Sequence, residues 1–168
     1  VRRARDEAFR RTLSIMRPAQ FGGINGRTQQ GVYVSNRGSV DGTKERTISS
    51  EGKPDIQVAT PPEFKGHAGI WSPEDLYVAA ANICLMTTFL AVAERGGLAF
   101  TAYHCEAEGR LELVEGKFQV TVITLRPHIT LSPGGDASKA KELIEKAEAN
   151  CLISNSMKTR IALEPTIV

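Results

Sequence analysis

The sequence has few cysteines and almost no net charge. Its three cysteines, Cys84, Cys105 and Cys151, form no CxxC pair and no zinc-finger spacing, and their odd number argues against a secreted disulfide framework. The net charge is +2, from 21 Lys and Arg against 19 Asp and Glu, which is too close to neutral to indicate a nucleic-acid or anionic-membrane partner. The composition is that of an ordinary globular protein.

The chain also shows no apolar signal-peptide segment behind its basic N-terminus, so we expect a cytoplasmic protein. Residues 1–16 have the pattern of a basic amphipathic helix that ends before Pro18. We interpret residues 1–20 as a helical arm in front of one domain, residues 21–168, because 168 residues are enough for a single substantial core.

One long apolar stretch, residues 71–93, organises the rest of the sequence. Ser72, Pro73 and Asp75 are typical of a capped helix start, and Gly96-Gly97 predicts its end. No residue from Leu76 to Ala93 is charged and apolar side chains occur on every face, so we expect protein to cover this helix on nearly all sides.

About 22 residues of helix measure about 33 Å, which is also the thickness of a bilayer. The stretch contains Asn82, Thr87, Thr88 and many alanines instead of a leucine-rich tract, and its flanks are rich in charges and strand patterns. These features favour a core helix over a membrane span.

The flanking segments predict an α+β domain with a largely antiparallel sheet. Short strands are expected between residues 31 and 60, with turns at 36–38 and 41–42. Residues 98–113 and 117–131 form the strongest hairpin pattern, with a turn at Glu115-Gly116. An amphipathic helix that lies on the sheet follows Asp136, and 154–156 turn the chain into a last strand over 159–163.

Cys84 lies within the long helix, and Cys151 lies at the end of the second helix. A single buried cysteine is most often a small hydrophobic residue, so neither indicates chemistry when taken alone. Their contexts are more specific: Ser-Pro-Glu-Asp-Leu begins the long helix, Ala-Ala-Asn-Ile-Cys-Leu-Met-Thr surrounds Cys84, and Asn-Cys-Leu-Ile-Ser-Asn-Ser surrounds Cys151.

These motifs, in this order and spacing, resemble the OsmC/Ohr family of osmotically inducible and organic-hydroperoxide-resistance proteins, over about residue 56 to the C-terminus. In that family a Pro-Glu pair opens the central helix, a cysteine follows ten residues after the glutamate, and a second cysteine follows the last helix. Here the glutamate is Glu74, and the cysteines are Cys84 and Cys151.

The resemblance implies a thiol peroxidase without metal or cofactor that reduces organic hydroperoxides. Cys84 would attack the peroxide, and Cys151 would resolve the resulting sulfenic acid as a disulfide. A dithiol, by resemblance of lipoyl type, would then reduce the disulfide. Because burial in an apolar helix disfavours a thiolate, a cation must offset it. The family uses an arginine held by the glutamate, here Glu74, and Arg27 after Gly26 is the closest match, with Arg37 and Arg46 as alternatives.

Two departures from the family pattern leave a second function open. The segment before the Pro-Glu pair has no arginine where OsmC-type members carry one, and Leu152 replaces the usual proline after the second cysteine. The alternative is an OsmC-like protein of weak or no peroxidase activity whose apolar pocket binds a small hydrophobic molecule.

Helix geometry and the resemblance together predict an intertwined homodimer. Ten residues separate Glu74 from Cys84 by about 15 Å along the axis, so Glu74 is more simply supplied to the site of a second subunit. Two alternatives remain: a long arginine spans part of the gap within one chain, or Glu74 only interacts with the helix dipole.

The remaining candidates have structural interpretations. Cys105 is expected inside a strand as a structural residue. The three histidines, His67, His104 and His128, have no ligand spacing and predict no metal site. Trp71 is interpreted as a packing anchor, with a place at the mouth of a peroxide pocket as the alternative.

Overall fold

A computed structural model describes residues 32–38 and 45–168. The expected N-terminal arm, residues 1–20, and Arg27 lie outside these residues, and Val34–Val168 form one compact unit. Its elements are β1 (Ser35–Gly38), β2 (Glu45–Ser49), β3 (Ile56–Ala59), a 3-10 turn (Pro62–Phe64), α1 (Pro73–Gly96), β4 (Phe100–Val114), β5 (Lys117–Leu131), α2 (Ala137–Ala149), α3 (Leu152–Ser156), β6 (Arg160–Leu163) and β7 (Thr166–Ile167).

The first sheet is an antiparallel meander in the order β1-β2-β3. The turn expected at residues 36–38 was wrong, because these residues pair with residues 46–48 of β2. Gly38 is suited to this strand for a steric reason: a Cβ there would collide with the side chain of Arg46 on the opposite strand.

The predicted hairpin is confirmed and forms the centre of the second sheet. β4 and β5 pair antiparallel along 15 residues each, and the turn contains Glu115 and Gly116 at φ values of 50° and 77°. Positive φ at both positions matches the twist of the flanking strands. β6 and β7 pair parallel to β5, so this sheet is mixed while most of its pairing is antiparallel.

The ends of α1 lie where the sequence predicts them. The Ser72 hydroxyl accepts a bond from the Asp75 amide, and the Asp75 carboxylate accepts one from the Ser72 amide, which together form a capping box. Gly97 ends the helix in the left-handed conformation at φ 61°.

Only one face of α1 is covered by the described part of the chain. Its buried side chains are Ala81, Leu85, Phe89 and Ala93. On the opposite face Ile83 is 57% and Leu90 41% exposed, so the described residues alone do not provide the cover expected on nearly all sides. α1 is long and apolar enough to cross a membrane, but core helices of soluble proteins meet the same criteria of length and composition.

α2 begins at the predicted cap, Asp136, and buries the predicted apolar face. Its buried residues pack with Phe89 of α1 and with Ile123 and Ile129 of β5 in one core, and Leu143 contacts Gly96 at the end of α1. We expected α2 to lie on the sheet, but it packs mainly on α1. The turn expected at residues 154–156 was also wrong, because these residues complete the short helix α3.

Candidate active site

Cys84 lies at the edge of the buried face of α1, where α3 packs against that helix. Its Sγ accepts a hydrogen bond from the backbone N–H of Ile153 at 3.5 Å. The side chain is half-buried and carries a free thiol. A sulfur in this position is covered by protein on one side and open to small molecules on the other.

Cys151 approaches the same point from the other side. It is the residue between α2 and α3, where it takes the N-cap position of α3, and it is completely buried. Its thiol is free and lies close enough to donate a hydrogen bond to the sulfur of Cys84. The fold therefore brings together two cysteines that are 67 positions apart in the sequence.

The surroundings give the two thiols opposite acidities. Burial alone would raise the pKa of Cys84, but hydrogen bonds from the Cys151 thiol, the Ile153 amide, the Thr88 hydroxyl and the Leu152 amide outweigh it. The pKa of Cys84 therefore lies below its ordinary value. Hydrogen bonds to a thiolate are charge-assisted, which is why several of them can overcome the desolvation.

Cys151 has the reverse balance. Burial is the largest effect and raises its pKa, and the neighbouring Cys84 adds to the rise. The neighbouring hydroxyl and amide of Ser154 lower the pKa only in part. Cys84 is therefore the better nucleophile of the pair, and Cys151 keeps its proton to a higher pH.

Glu74 is placed in the first turn of α1, about 15 Å along the axis from Cys84. The structure thus does not bring these two residues together on one chain. The carboxylate Oε2 is buried and has no hydrogen-bond partner among the described residues. Glu74 also lines a cavity of about 350 Å³ between α1 and β4, together with Trp71, Val78 and Leu111.

The three arginine candidates are described to different extents. Arg27 lies outside the described residues, and of Arg37 only the backbone, in β1, is described. Arg46 lies on β2, paired with Val58, and lines a cavity that reaches Pro73 at the start of α1. Among the described arginines, Arg46 thus lies near the end of α1 that carries Glu74.

Cys105 lies on the inner face of β4 and across α1 from the cysteine pair. Its carbonyl accepts a hydrogen bond from Asn82, which is two residues before Cys84 and therefore about 200° away around the helix. Burial is the main cause that raises the pKa of Cys105. This position agrees with the structural interpretation made from the sequence.

The remaining candidates do not join this site. His104 and His128 are cross-strand partners, a pairing that their spacing in the sequence did not reveal. Within residues 32–38 and 45–168, no group of three His, Cys, Asp or Glu side chains is arranged to hold a metal ion. Trp71 is half-exposed at the cavity beside Glu74.

Sequence reasoning missed two contributors to the site, Thr88 and Ser154. Each follows a cysteine by one helical turn: Thr88 is four residues after Cys84, and Ser154 is three residues after Cys151. Because such spacing places two side chains on the same face of a helix, a hydroxyl at that distance was the signal that could have revealed them.

Comparison with known proteins places the chain among proteins that have this arrangement of elements. A family model described as OsmC-like protein matches residues 66–166. Peroxiredoxin OsmC of Escherichia coli is 32% identical over 101 residues, covering 60% of this chain and 69% of that protein. An organic hydroperoxide resistance protein of Xanthomonas axonopodis pv. citri is 26% identical over 138 residues, covering 81% of this chain and 94% of that protein.

A solved structure of an OsmC-like protein of unknown function from Vibrio cholerae superposes with a TM-score of 0.74 at 22% identity, covering 82% of this chain and 99% of that one. This likeness of fold covers a larger share of the chain than residues 66–166, which the family model matches. From the matched family model, the shared fold and the motifs around the two cysteines, we conclude that this chain belongs to the OsmC family.

Proposed function

We propose that this protein is a thiol-dependent peroxidase that reduces organic hydroperoxides through Cys84 and Cys151. The observation that carries the proposal is the contact of these two thiols, one with a lowered and one with a raised pKa. A thiol peroxidase needs this difference in pKa between its two thiols. The attacking group must be a thiolate, whereas the resolving group reacts only with the sulfenic acid that the first step forms. The peroxiredoxin and hydroperoxide-resistance names of the two relatives support it.

The reaction has two chemical steps on the protein. The Cys84 thiolate attacks the peroxide oxygen that bears hydrogen, the O–O bond breaks, and the alkoxide leaves and takes a proton to become an alcohol. Cys84 is then a sulfenic acid. Cys151 attacks this sulfur, the S–S bond forms, and water leaves. An external dithiol returns both cysteines to thiols.

The surroundings of Cys84 favour alkyl hydroperoxides over hydrogen peroxide. Leu152, beside the Ile153 amide that contacts Cys84, is an apolar side chain that is 71% exposed. Because an alkyl chain gains about 25 cal/mol for each Å² of apolar surface that it buries, such a surface increases the affinity for organic substrates.

The test is peroxide consumption with tert-butyl hydroperoxide, cumene hydroperoxide or hydrogen peroxide and a dithiol reductant. Cys84→Ser should abolish turnover, whereas Cys151→Ser should consume one equivalent of peroxide and stop at the sulfenic acid. Cys105→Ser is the matched control and should retain turnover. Full turnover by the Cys151→Ser protein would remove Cys151 from the mechanism.

We further propose that the working unit is a homodimer in which Glu74 of one subunit serves Cys84 of the other, through Arg27 or Arg46. Two observations support this. The apolar face of α1 is left exposed by the described residues, and the buried Oε2 of Glu74 has no hydrogen-bond partner among them. A second copy of α1 packed about a two-fold axis would cover that face without a membrane.

Mixed dimers test this assembly. Homodimers of Glu74→Ala and of Cys84→Ser should each be weak or inactive, while the heterodimer should regain one intact site. A fully active monomer in sedimentation velocity would contradict the proposal. The same sample shows whether the protein stays in solution without detergent, as we expect for a cytoplasmic enzyme.

The second candidate function is binding of a small hydrophobic molecule without peroxidase chemistry. The cavity of about 350 Å³ beside Trp71, lined also by Val78, Leu111 and Val120, favours it, since small-molecule sites are apolar clefts of this size. Lack of peroxide consumption by protein with reduced Cys84, together with quenching of Trp71 fluorescence by an apolar ligand, would support this candidate instead.

A further inference from the structure

The two sulfurs of the proposed disulfide differ in how an external thiol can reach them. Cys151 is completely buried between α2 and α3, whereas Cys84 is half-buried at the edge of α1. Thiol–disulfide exchange requires the incoming thiolate to approach along the S–S bond, so access decides which sulfur is attacked. Access favours the sulfur of Cys84.

The acidities of the two thiols favour the opposite choice. A thiol of low pKa leaves more readily, and Cys84 has the lower pKa of the pair. If leaving-group quality decided the outcome, the reductant would attack Cys151 and expel Cys84. A completely buried sulfur cannot be attacked from outside without opening the fold, so we give the greater weight to access.

Attack at Cys84 requires Cys151 to leave as a buried thiolate, and Ser154 provides for this. Ser154 is buried, only 9% exposed, and its Oγ has no hydrogen-bond partner among the described residues. Its hydroxyl and its amide both lie beside the Cys151 sulfur. A protonated thiol is a weak acceptor, but a thiolate would accept the unused O–H in full.

We propose that the external dithiol attacks the Sγ of Cys84, and that Cys151 leaves as a thiolate stabilised by the hydroxyl of Ser154. The inference rests on the disulfide of the proposed function and adds the direction of its reduction. It also assigns Ser154 a role in the step that regenerates the enzyme.

The step balances with a dithiol as the only reductant. A bond forms between one dithiol sulfur and Cys84 while the Cys84–Cys151 bond breaks, and the electron pair of that bond stays on Cys151. The Cys151 thiolate then takes a proton from solvent. The second thiol of the reductant then attacks the reductant sulfur that is bonded to Cys84 and expels the Cys84 thiolate. The reductant is released as a cyclic disulfide, and two electrons have passed to the protein.

The direction of attack can be read from a trapped mixed disulfide. The full-length protein is oxidised with diamide, which closes the disulfide without any peroxide, and is freed of excess diamide. It is then treated briefly with glutathione, quenched with an excess of N-ethylmaleimide and mapped by peptide mass. We expect glutathione on Cys84 and the alkyl group on Cys151, with Cys105 alkylated as an internal reference. Glutathione on Cys151 would overturn the proposal, as would failure of diamide to join Cys84 and Cys151.

Because diamide replaces the peroxide, this result does not depend on peroxidase activity. A protein that forms the disulfide with diamide but not with a hydroperoxide would refute the proposed function and still report the direction of attack.

The role of Ser154 is tested separately with a matched pair of variants in the same short helix. Ser154→Ala removes the hydroxyl beside Cys151, whereas Ser156→Ala removes an exposed hydroxyl that bonds to the carbonyl of Leu152. We expect reduction of the diamide-oxidised protein by dithiothreitol to slow on the order of tenfold in Ser154→Ala and to remain within about twofold in Ser156→Ala. Equal rates in the two variants would refute the role of Ser154.

A third variant distinguishes stabilisation of the thiolate from loss of packing. Ser154→Thr retains the hydroxyl without adding a thiol beside the disulfide, so its rate of reduction should lie closer to that of the wild type than to that of Ser154→Ala. A Ser154→Thr protein as slow as Ser154→Ala, with an unchanged unfolding midpoint, would refute the role of the hydroxyl.

Discussion

Tyr77 and Thr159 connect α1 to the segment that carries Cys151, and their removal should destabilise the protein unequally. The Thr159 hydroxyl donates to the carbonyl of Val120 at 2.7 Å, so its single proton is used there. The Tyr77 hydroxyl must therefore be the donor in the 2.8 Å bond to Thr159. Thr159 is 9% exposed, so groups that lose a bond there have little access to water.

The direction of these bonds sets the size of each effect. Tyr77→Phe removes one hydrogen bond and leaves Thr159 bonded to Val120, which should lower the free energy of unfolding by about 1 kcal/mol. Thr159→Val removes both bonds and leaves the half-buried Val120 carbonyl and Tyr77 phenol without their partner, which should cost roughly 2–3 kcal/mol. Thr101→Val is the control, since its hydroxyl bonds to the Thr130 carbonyl on an exposed surface, and it should change stability by less than about 0.5 kcal/mol.

The assay is urea unfolding of the reduced protein at one fixed concentration, followed by circular dichroism. Because the two side chains act in one chain of bonds, the double variant should lose less than the sum of the two single losses. Additive losses, or a loss in Tyr77→Phe as large as that in Thr159→Val, would refute the assigned direction of the bonds.

Three further predictions follow from single contacts. Thr88→Val should raise the pKa of Cys84, because it removes a hydrogen bond to the thiolate. The rate of Cys84 alkylation by iodoacetamide, measured against pH, should then have a higher midpoint, and an unchanged midpoint would exclude Thr88 as a donor. Gly109→Ala should destabilise by roughly 1–3 kcal/mol, because its Cβ would lie 2.5 Å from Cγ2 of Val78, and Val78→Ala should rescue it; no rescue in thermal unfolding would contradict this cause. Ser72→Ala should cost about 1 kcal/mol through loss of the helix cap, measured by thermal unfolding, and no loss would mean that solvent replaces the cap.

The lowered pKa of Cys84 also gives a sign for the effect of pH on stability. A group whose pKa is lower in the folded than in the unfolded protein stabilises the fold above the unfolded value, and this stabilisation is lost as the pH falls through the folded value. Cys151, with its raised pKa, acts in the opposite sense, and its contribution is lost as the pH rises. The two effects lie on opposite sides of the ordinary thiol pKa, so Cys151→Ser should remove the loss of stability above that value, as measured by urea unfolding at a series of pH values.

The elements that the sequence predicted best are those with local signals. α1 is delimited by Ser72, Asp75 and Gly97, and the long hairpin by Glu115-Gly116, and these residues determine the backbone within a few positions of themselves. Caps and turns depend on nearby hydrogen bonds and φ values, so they can be predicted from the sequence without knowledge of the rest of the fold.

The errors occurred where distant contacts decide the structure. Residues 36–38 have turn-forming types, but pairing with β2 holds them in a strand. Residues 154–156 also suggested a turn, whereas packing against α1 accommodates them as a helix. The uncovered face of α1 could not be foreseen either, because an apolar pattern does not tell which chain provides the cover.

The candidate site was predicted in part. The resemblance paired Cys84 with Cys151, and the structure brings these two thiols into contact while it leaves Cys105 across the helix. The Ile153 amide was not predicted, because its contact with Cys84 depends on how α3 packs against α1. Thr88 and Ser154 were missed although their spacing from the two cysteines was visible in the sequence. The roles of Glu74 and Arg27 remain predictions.

The most direct test of the account is the identity of the disulfide formed by one equivalent of tert-butyl hydroperoxide. Peptide mapping of the oxidised full-length protein should find a single bond between Cys84 and Cys151 within one chain, with Cys105 still a free thiol. A bond that includes Cys105, a bond between two chains, or sulfenic acid on Cys84 that persists beside a reduced Cys151 would contradict the central claim that these two contacting thiols form the reactive pair.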